Sequence, residues 1–167
     1  MQKARPLRGR WLNVVFFLTA LLVVAADQLT KAWIRSFSCG QLIFQAGAFR
    51  IIYARNTGAI FGFFQGHSFI FVIVSAVGIV ALLVYVFYVC RRFSFLDGSL
   101  NRVALGLVLG GAVGNIIDRL WFGGVTDFVS VGLFPAFNVA DSAITVGFIM
   151  FAYSLFRLGG TKRAWDG

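Results

Sequence analysis

Twenty-two consecutive residues, Phe69 to Cys90, carry no charge, and this run decides most of what the chain can become. A helix needs ~20 apolar residues to cross a bilayer core, and this stretch supplies them without interruption. Three further apolar stretches follow it in kind. Trp11 to Ala26 is apolar and its pattern continues through Leu29, Ala32, Trp33 and Ile34. Val103 to Ile117 is uncharged for 15 residues, and Phe134 to Phe156 is apolar with Asp141 standing inside it. The expected fold class is therefore a membrane all-α protein with four transmembrane helices, at about residues 11–34, 69–90, 100–120 and 138–157, in one membrane-embedded domain over 1–167. Composition agrees: 59% of residues are hydrophobic and 13% charged, where a soluble domain has about a quarter charged.

The net charge of +9 would suit a nucleic-acid partner if it formed a stripe. Instead the basic residues flank the apolar runs, as topology signals do, so no nucleic acid is expected. With the N-terminus in the cytoplasm, ten Lys and Arg fall on that side, including Lys3, Arg5, Arg91, Arg102 and Lys162. Five fall on the other: Lys31, Arg35, Arg50, Arg55 and Arg119. The bias predicts that both termini are cytoplasmic. The first run also resembles a signal peptide, with Val24-Ala25-Ala26 suited to cleavage. Its apolar continuation to Ile34 favours a span. Residues up to Arg10 and from Gly159 read as mobile tails.

Chain length sets the depth of the polar residues. Fifteen residues at ~1.5 Å each cover ~22 Å, short of a ~30 Å core. The third span must therefore draw Asn115, Asp118 and Arg119 into the outer leaflet, and the fourth draws in Asp141. The connections on that side look structured. Leu42-Ile43-Phe44, a turn near Ala46-Gly47 and Phe49 to Arg55 predict a hairpin. Val125 to Val131 alternates as a strand does. Backbone at membrane depth must be satisfied by neighbouring protein, so a small β element, an extracytoplasmic interfacial sheet, is expected.

The chain holds six aspartates and no glutamate. Four of them, Asp27, Asp118, Asp127 and Asp141, lie beside or within apolar segments, where a carboxylate is expensive and usually functional. Asp27 and Lys31 are four apart, on one helical face where they can pair. Asp127 and Asp141 flank a short connection between neighbouring helices and can meet. Two adjacent carboxylates do not readily both ionise; one keeps a proton, and such a pair can activate water while protonating a carbonyl or leaving amine. The plainer reading of Asp141-Ser142 is a helix N-cap. The glycines Gly106, Gly110 and Gly114 recur every four residues and read as helix packing. Cys39 and Cys90 belong at opposite ends of the bundle, which argues against a disulfide, and with His67 they make no metal-ligand cluster.

Five short boxes occur in order: Asp27-Gln-Leu-Thr-Lys31; Asn56-Thr-Gly-Ala59; Gly111-Ala-Val-Gly114-Asn115-Ile-Ile-Asp118-Arg119; Gly124-Val-Thr-Asp127-Phe128; and Phe134-Pro-Ala-Phe137-Asn138-Val-Ala140-Asp141-Ser142. Each alone is weak. Together the chain resembles the bacterial lipoprotein signal peptidase (signal peptidase II) family. The resemblance implies an aspartic endopeptidase of the bacterial cytoplasmic (inner) membrane with its active site at the outer face. Its substrate would be a prolipoprotein carrying a diacylglyceryl group, cut on the amino side of the lipidated cysteine. It implies Asp127 and Asp141 as catalytic aspartates. Asn56, Gly111, Asn115, Asp118, Arg119, Asn138 and Ala140 would line or support the site, and Asp27 with Lys31 would orient it. No metal or cofactor is expected, and the partners would be the lipidated substrate and membrane phospholipid, with the protein a monomer.

Two departures stand out. Ala59-Ile60-Phe61-Gly62 lacks the second alanine and serine common in the family, and the connection from Asp127 to Asp141 is short. Rival chemistries have less to stand on. A serine–lysine site would need Ser36, Ser38 or Ser130 beside Lys31. A rhomboid-like site would need a nucleophile turn that Gly66-His67-Ser68 does not supply, and no H-E-x-x-H is present. A small ion or proton transporter using intramembrane aspartates would need polar residues through the whole bilayer, whereas those seen here gather at one face.

Overall fold

The computed structural model describes residues 5–58, 68–92 and 98–163. Helix α1 spans Arg5–Ile34, strand β1 Leu42–Ala46 and strand β2 Phe49–Asn56. Helix α2 spans Ser68–Val84 and is continued by a π-helical stretch, Tyr85–Val89, and a last turn, Cys90–Arg92. Helix α3 follows at Ser99–Phe122, strand β3 at Val125–Val131 and helix α4 at Val139–Arg163. Among the described residues four helical stretches are long and apolar enough to cross a membrane: Gly9–Ile34, Phe69–Val89, Ser99–Phe122 and Val139–Arg157. These match the four expected spans. Their outward residues are lipid-compatible, as with Val77, Val80 and Val84 along α2, all more than half exposed.

The ends differ from expectation. Residues 5–10 and 159–163, read from sequence as tails, are helical. Pro6 sits in the first turn of α1, where a missing N–H costs nothing. At the other end, each added residue of an existing helix gains a backbone bond, which carries α4 past Gly159-Gly160.

Helix α3 is the centre of the bundle, because glycines let two neighbours approach its backbone. A Cβ on Gly106 would lie 2.7 Å from the Phe16 carbonyl oxygen, and one on Gly110 2.6 Å from that of Ala20. Gly114 leaves room for the Asp27 carboxylate. The i, i+4 row thus faces α1 throughout, the close small-residue packing that membrane helices use in place of a hydrophobic drive. On the other side, a Cβ on Gly111 would collide with the Ala140 carbonyl, and one on Gly147 would lie 2.7 Å from that of Ala104. Gly110→Val should therefore lower stability by about 1–3 kcal/mol through overpacking. Thermal unfolding in detergent checks this, and an unchanged midpoint would refute the packing role.

The three strands form one antiparallel sheet in the order β1-β2-β3, capping the end of the bundle where α1 finishes. The predicted hairpin and strand are both present, with Gly47 at φ 59 in the turn. Helix α3 stops at Gly123, whose left-handed φ of 68 brings its N–H to the Arg119 carbonyl at 3.1 Å. Two residues later β3 begins, pairing Asp127 with Ala54 and Val125 with Asn56. The free edge of β3 is met by Phe137, whose carbonyl accepts from the Val129 N–H at 2.8 Å. That bridge draws the start of α4 back beside the strand.

At the far end a second buried polar group appears that the sequence reading did not foresee, Asn101 and Arg102 at the start of α3. The twelve residues between it and Asn115 on α3, Val103 to Gly114, are all apolar or glycine, so no polar path crosses the bundle along α3. Cys39 is an exposed thiol and Cys90 a buried one.

Candidate active site

Strand β3 and the first turn of α4 deliver one carboxylate each to a single cavity of about 980 Å3, lined by Asp127, Asp141, Asn56, Asn115 and Arg119 among others. Asp127 is almost wholly buried. Its Oδ1 accepts from Asn138 Nδ2 at 2.7 Å and its Oδ2 from Asn56 Nδ2 at 3.0 Å. Burial, and then the nearby Asp141 charge, push its carboxyl up from 3.8 to about 7, against the pull of those two amides.

The position of Asp141 has a local cause. Asn138 Oδ1 accepts the Asp141 N–H at 2.9 Å, and Asp141 Oδ2 accepts the Asn138 N–H at 3.2 Å. This reciprocal pair is a capping box at the start of α4. The plain reading of Asp141 as a cap thus has its counterpart here, with Asn138 as the N-cap and Asp141 as its partner three residues on. Capping leaves Asp141 Oδ1 available, and that oxygen accepts from Asn115 Nδ2 at 2.8 Å.

Asn138 and Asn115 therefore tie the two carboxylates together. Asn138 Nδ2 also donates to Asn115 Oδ1 at 3.2 Å. Lys31 Nζ donates to the same oxygen at 2.9 Å, which fixes which end of the Asn115 amide faces Asp141. Behind Lys31 lies a closed set of charges. Asp27 Oδ2 is 2.8 Å from Lys31 Nζ, Asp118 Oδ2 is 3.7 Å from it, and Arg35 Nη1 is 3.2 Å from Asp118 Oδ1. Asp27, Lys31 and Asp118 are fully buried. Each aspartate also holds a strand or helix start: Asp118 Oδ2 accepts the Thr126 N–H at 2.8 Å, and Asp27 Oδ1 the Ala140 N–H at 2.9 Å.

The residues singled out from sequence thus fall into two groups. Asp127, Asp141, Asn56, Asn115 and Arg119 face the cavity. Asp27, Lys31 and Asp118 lie behind it, Asn138 bridges, and Gly111 and Ala140 meet at a close approach of α3 and α4 beside the site. Three participants were missed: Gln28, which donates to Gly114 O and Asp118 Oδ1; Arg35, which also donates to Thr126 Oγ1; and Thr126 itself. Arg35 stands four residues after Lys31, and that spacing was the signal available. Arg35 also stacks 4.2 Å above the Phe122 ring, and Arg55 donates to the Phe122 carbonyl. Both grip the end of α3 just before β3.

Lys31 is committed to Asn115 and the aspartates, while Ser36 donates to the Trp33 carbonyl and Ser130 accepts from Arg50. A serine–lysine site at Ser36 or Ser130 finds no support in this geometry. Ala59 to Gly62 and His67 lie outside the described residues. Among those described, no group of three His, Cys, Asp or Glu could hold a metal ion.

The family model described as signal peptidase (SPase) II matches residues 19–157. A lipoprotein signal peptidase of Dehalococcoides mccartyi is 43% identical over 138 residues, 82% of this chain and 86% of its own. One of Burkholderia vietnamiensis is 40% identical over 164 residues, covering 91% of each chain. A solved structure described as a bacterial membrane enzyme superposes with a TM-score of 0.79 at 31% identity, over 88% of this chain and 90% of that one.

Proposed function

The chain belongs to the signal peptidase II family, a multi-pass membrane peptidase that removes signal peptides from lipoproteins, and from this membership we propose that it works by an aspartic mechanism. Asp127 and Asp141 are the catalytic pair. The cut falls on the amino side of a diacylglyceryl-modified cysteine, at the outer face of the bacterial inner membrane, with both termini cytoplasmic.

The observation that carries the mechanism is the pair's shared cavity and unequal surroundings. Asp127, with its carboxyl near 7, keeps its proton in about half of the molecules at neutral pH. Asp141, the more open of the two, takes a proton from water as the water oxygen attacks the scissile carbonyl carbon. Asp127 gives its proton to the carbonyl oxygen, forming a neutral diol. Collapse of the diol breaks the C–N bond; the proton on Asp141 passes to the leaving amine, and a diol hydroxyl returns one to Asp127. Two amides orient Asp127, so its proton points where the carbonyl will lie. Arg119, on the cavity wall and 5.4 Å from the Phe71 ring, holds peptide carbonyls of the substrate.

Two measurements test this reading. Purified protein in lipid nanodiscs should cleave a diacylglyceryl-modified prolipoprotein, seen as a gel shift, and leave the unlipidated precursor intact. Cleavage of neither by folded protein would end the peptidase reading for this chain. The rate should also fall as pH rises through about 7, because Asp127 then loses the proton it donates. A kcat/KM profile that stays flat from pH 6 to 9 would remove Asp127 from that role.

The transporter alternative is not favoured by any described feature, since apolar residues separate the two polar ends of α3.

A further inference from the structure

A second cavity, about 560 Å3 in volume, runs between α2, α3 and α4. Its walls are Val74, Gly78 and Ala81 of α2, Leu105 and Ala112 of α3, and Phe148 of α4. Among the described side chains that line it, only Ser75 and Tyr85 are polar. The furrow lies beside the cavity of the aspartates, with Ile144 lining both. On α2 the two are also neighbours: Phe71 faces the first cavity and Val74, one turn on, lines the second. From Val74 to Tyr85 the wall follows α2 for about 16 Å at 1.5 Å per residue. The furrow therefore starts near Asp141 and runs along the helices into the apolar part of the bundle.

Its dimensions select an occupant. At ~30 Å3 per methylene, about the share of a water in liquid, the furrow holds roughly 19 methylenes, which is one long acyl chain. A helix ~10 Å wide over the same length would need more than twice that volume, so the helical body of a signal peptide does not fit. Resting on the peptidase reading above, we propose that the furrow seats one acyl chain of the substrate's diacylglyceryl group. The seated chain sets the depth at which the scissile bond meets Asp127 and Asp141. A chain that moves from lipid into the furrow leaves no water, so the gain is packing and a fixed register rather than hydrophobic transfer. Such a register is what a cut beside the lipidated residue requires, since small misplacements of a reacting bond are costly.

The test narrows the furrow and varies the chain. Gly78 and Ala81 both line the furrow and a Cβ on Gly78 has nothing within 4 Å, so Gly78→Leu and, one turn on, Ala81→Phe are chosen to narrow it. Val77→Leu, on the lipid-facing side of α2, is the control. Substrates carrying dipalmitoyl and dibutyryl glyceryl groups are compared. We expect the two filling variants to lose about tenfold in kcat/KM on the dipalmitoyl substrate, mostly through KM, with about twofold change or less on the dibutyryl one. Val77→Leu should alter neither. Equal loss on both substrates, or loss on neither, overturns the proposal. So does photolabelling of the furrow by a phospholipid chain that bound substrate fails to displace. Wild-type protein that cuts neither substrate sinks the peptidase reading itself. A wild type that cuts both with no chain-length preference sinks only the furrow.

Discussion

Asp127→Asn is expected to cripple cleavage, with kcat/KM down by about 10²–10⁴-fold, while the protein stays folded. The amide cannot supply the proton, and general acid catalysis of this kind contributes roughly 10²–10⁴-fold. Asp141→Asn should do the same by removing the acceptor for the water proton. Residual cleavage within about tenfold of wild type in either variant would dismiss the pair. The stability of Asp127→Asn offers an independent check. Asp127 has a folded pKa near 7 and an ordinary value of 3.8, so between those limits the folded protein binds more protons than the unfolded chain. Wild-type stability should then decline as pH rises from about 4 to 7, because the buried carboxyl is forced to ionise. Asparagine at this position removes that slope. Melting curves across this range read it directly, and parallel wild-type and variant curves would contradict the burial argument.

Lys31→Met should be the most destabilising single change at the sheet end. It leaves Asp27 without its cation in a fully buried site. Breaking a buried pair from one side costs about 3–5 kcal/mol. Activity should drop as well, because the Asn115 amide loses the donor that sets its orientation toward Asp141. The double variant Asp27→Asn with Lys31→Met should recover part of the stability, since asparagine can still accept the Ala140 N–H through Oδ1. Thermal unfolding of wild type, Asp27→Asn, Lys31→Met and the double variant gives the coupling between the two sites. Strict additivity, or an unshifted midpoint for Lys31→Met alone, would show that these charges do not depend on one another.

Much of this was legible in the chain because the governing rules are short-range. An uncharged run of fixed length gives a span, alternation gives β3, and glycines every fourth residue give the α1–α3 contact. Asp27 and Lys31 were recognisable as a pair by their spacing alone. What escaped reading depends on separations that no local pattern encodes. Arg35 reaches Thr126, 91 residues away, and Gln28 reaches Asp118, 90 away. The double duty of Asn138, cap for one aspartate and donor to the other, appears only once the Phe137 bridge folds α4 back against β3. The buried Asn101 and Arg102 at the far end were equally hidden, since a polar pair beside an apolar run reads as the edge of a span.

The bond from the Ala140 N–H to Asp27 joins the first helix to the last. During synthesis these two positions are made 113 residues apart, so a chain still leaving the ribosome has its first helix in the bilayer long before that contact can form. Asp141, one residue further on, arrives with it. On the aspartic reading proposed above, the carboxylate pair is therefore complete only once the start of the fourth helix has been made, so a nascent chain that lacks it is not expected to cleave.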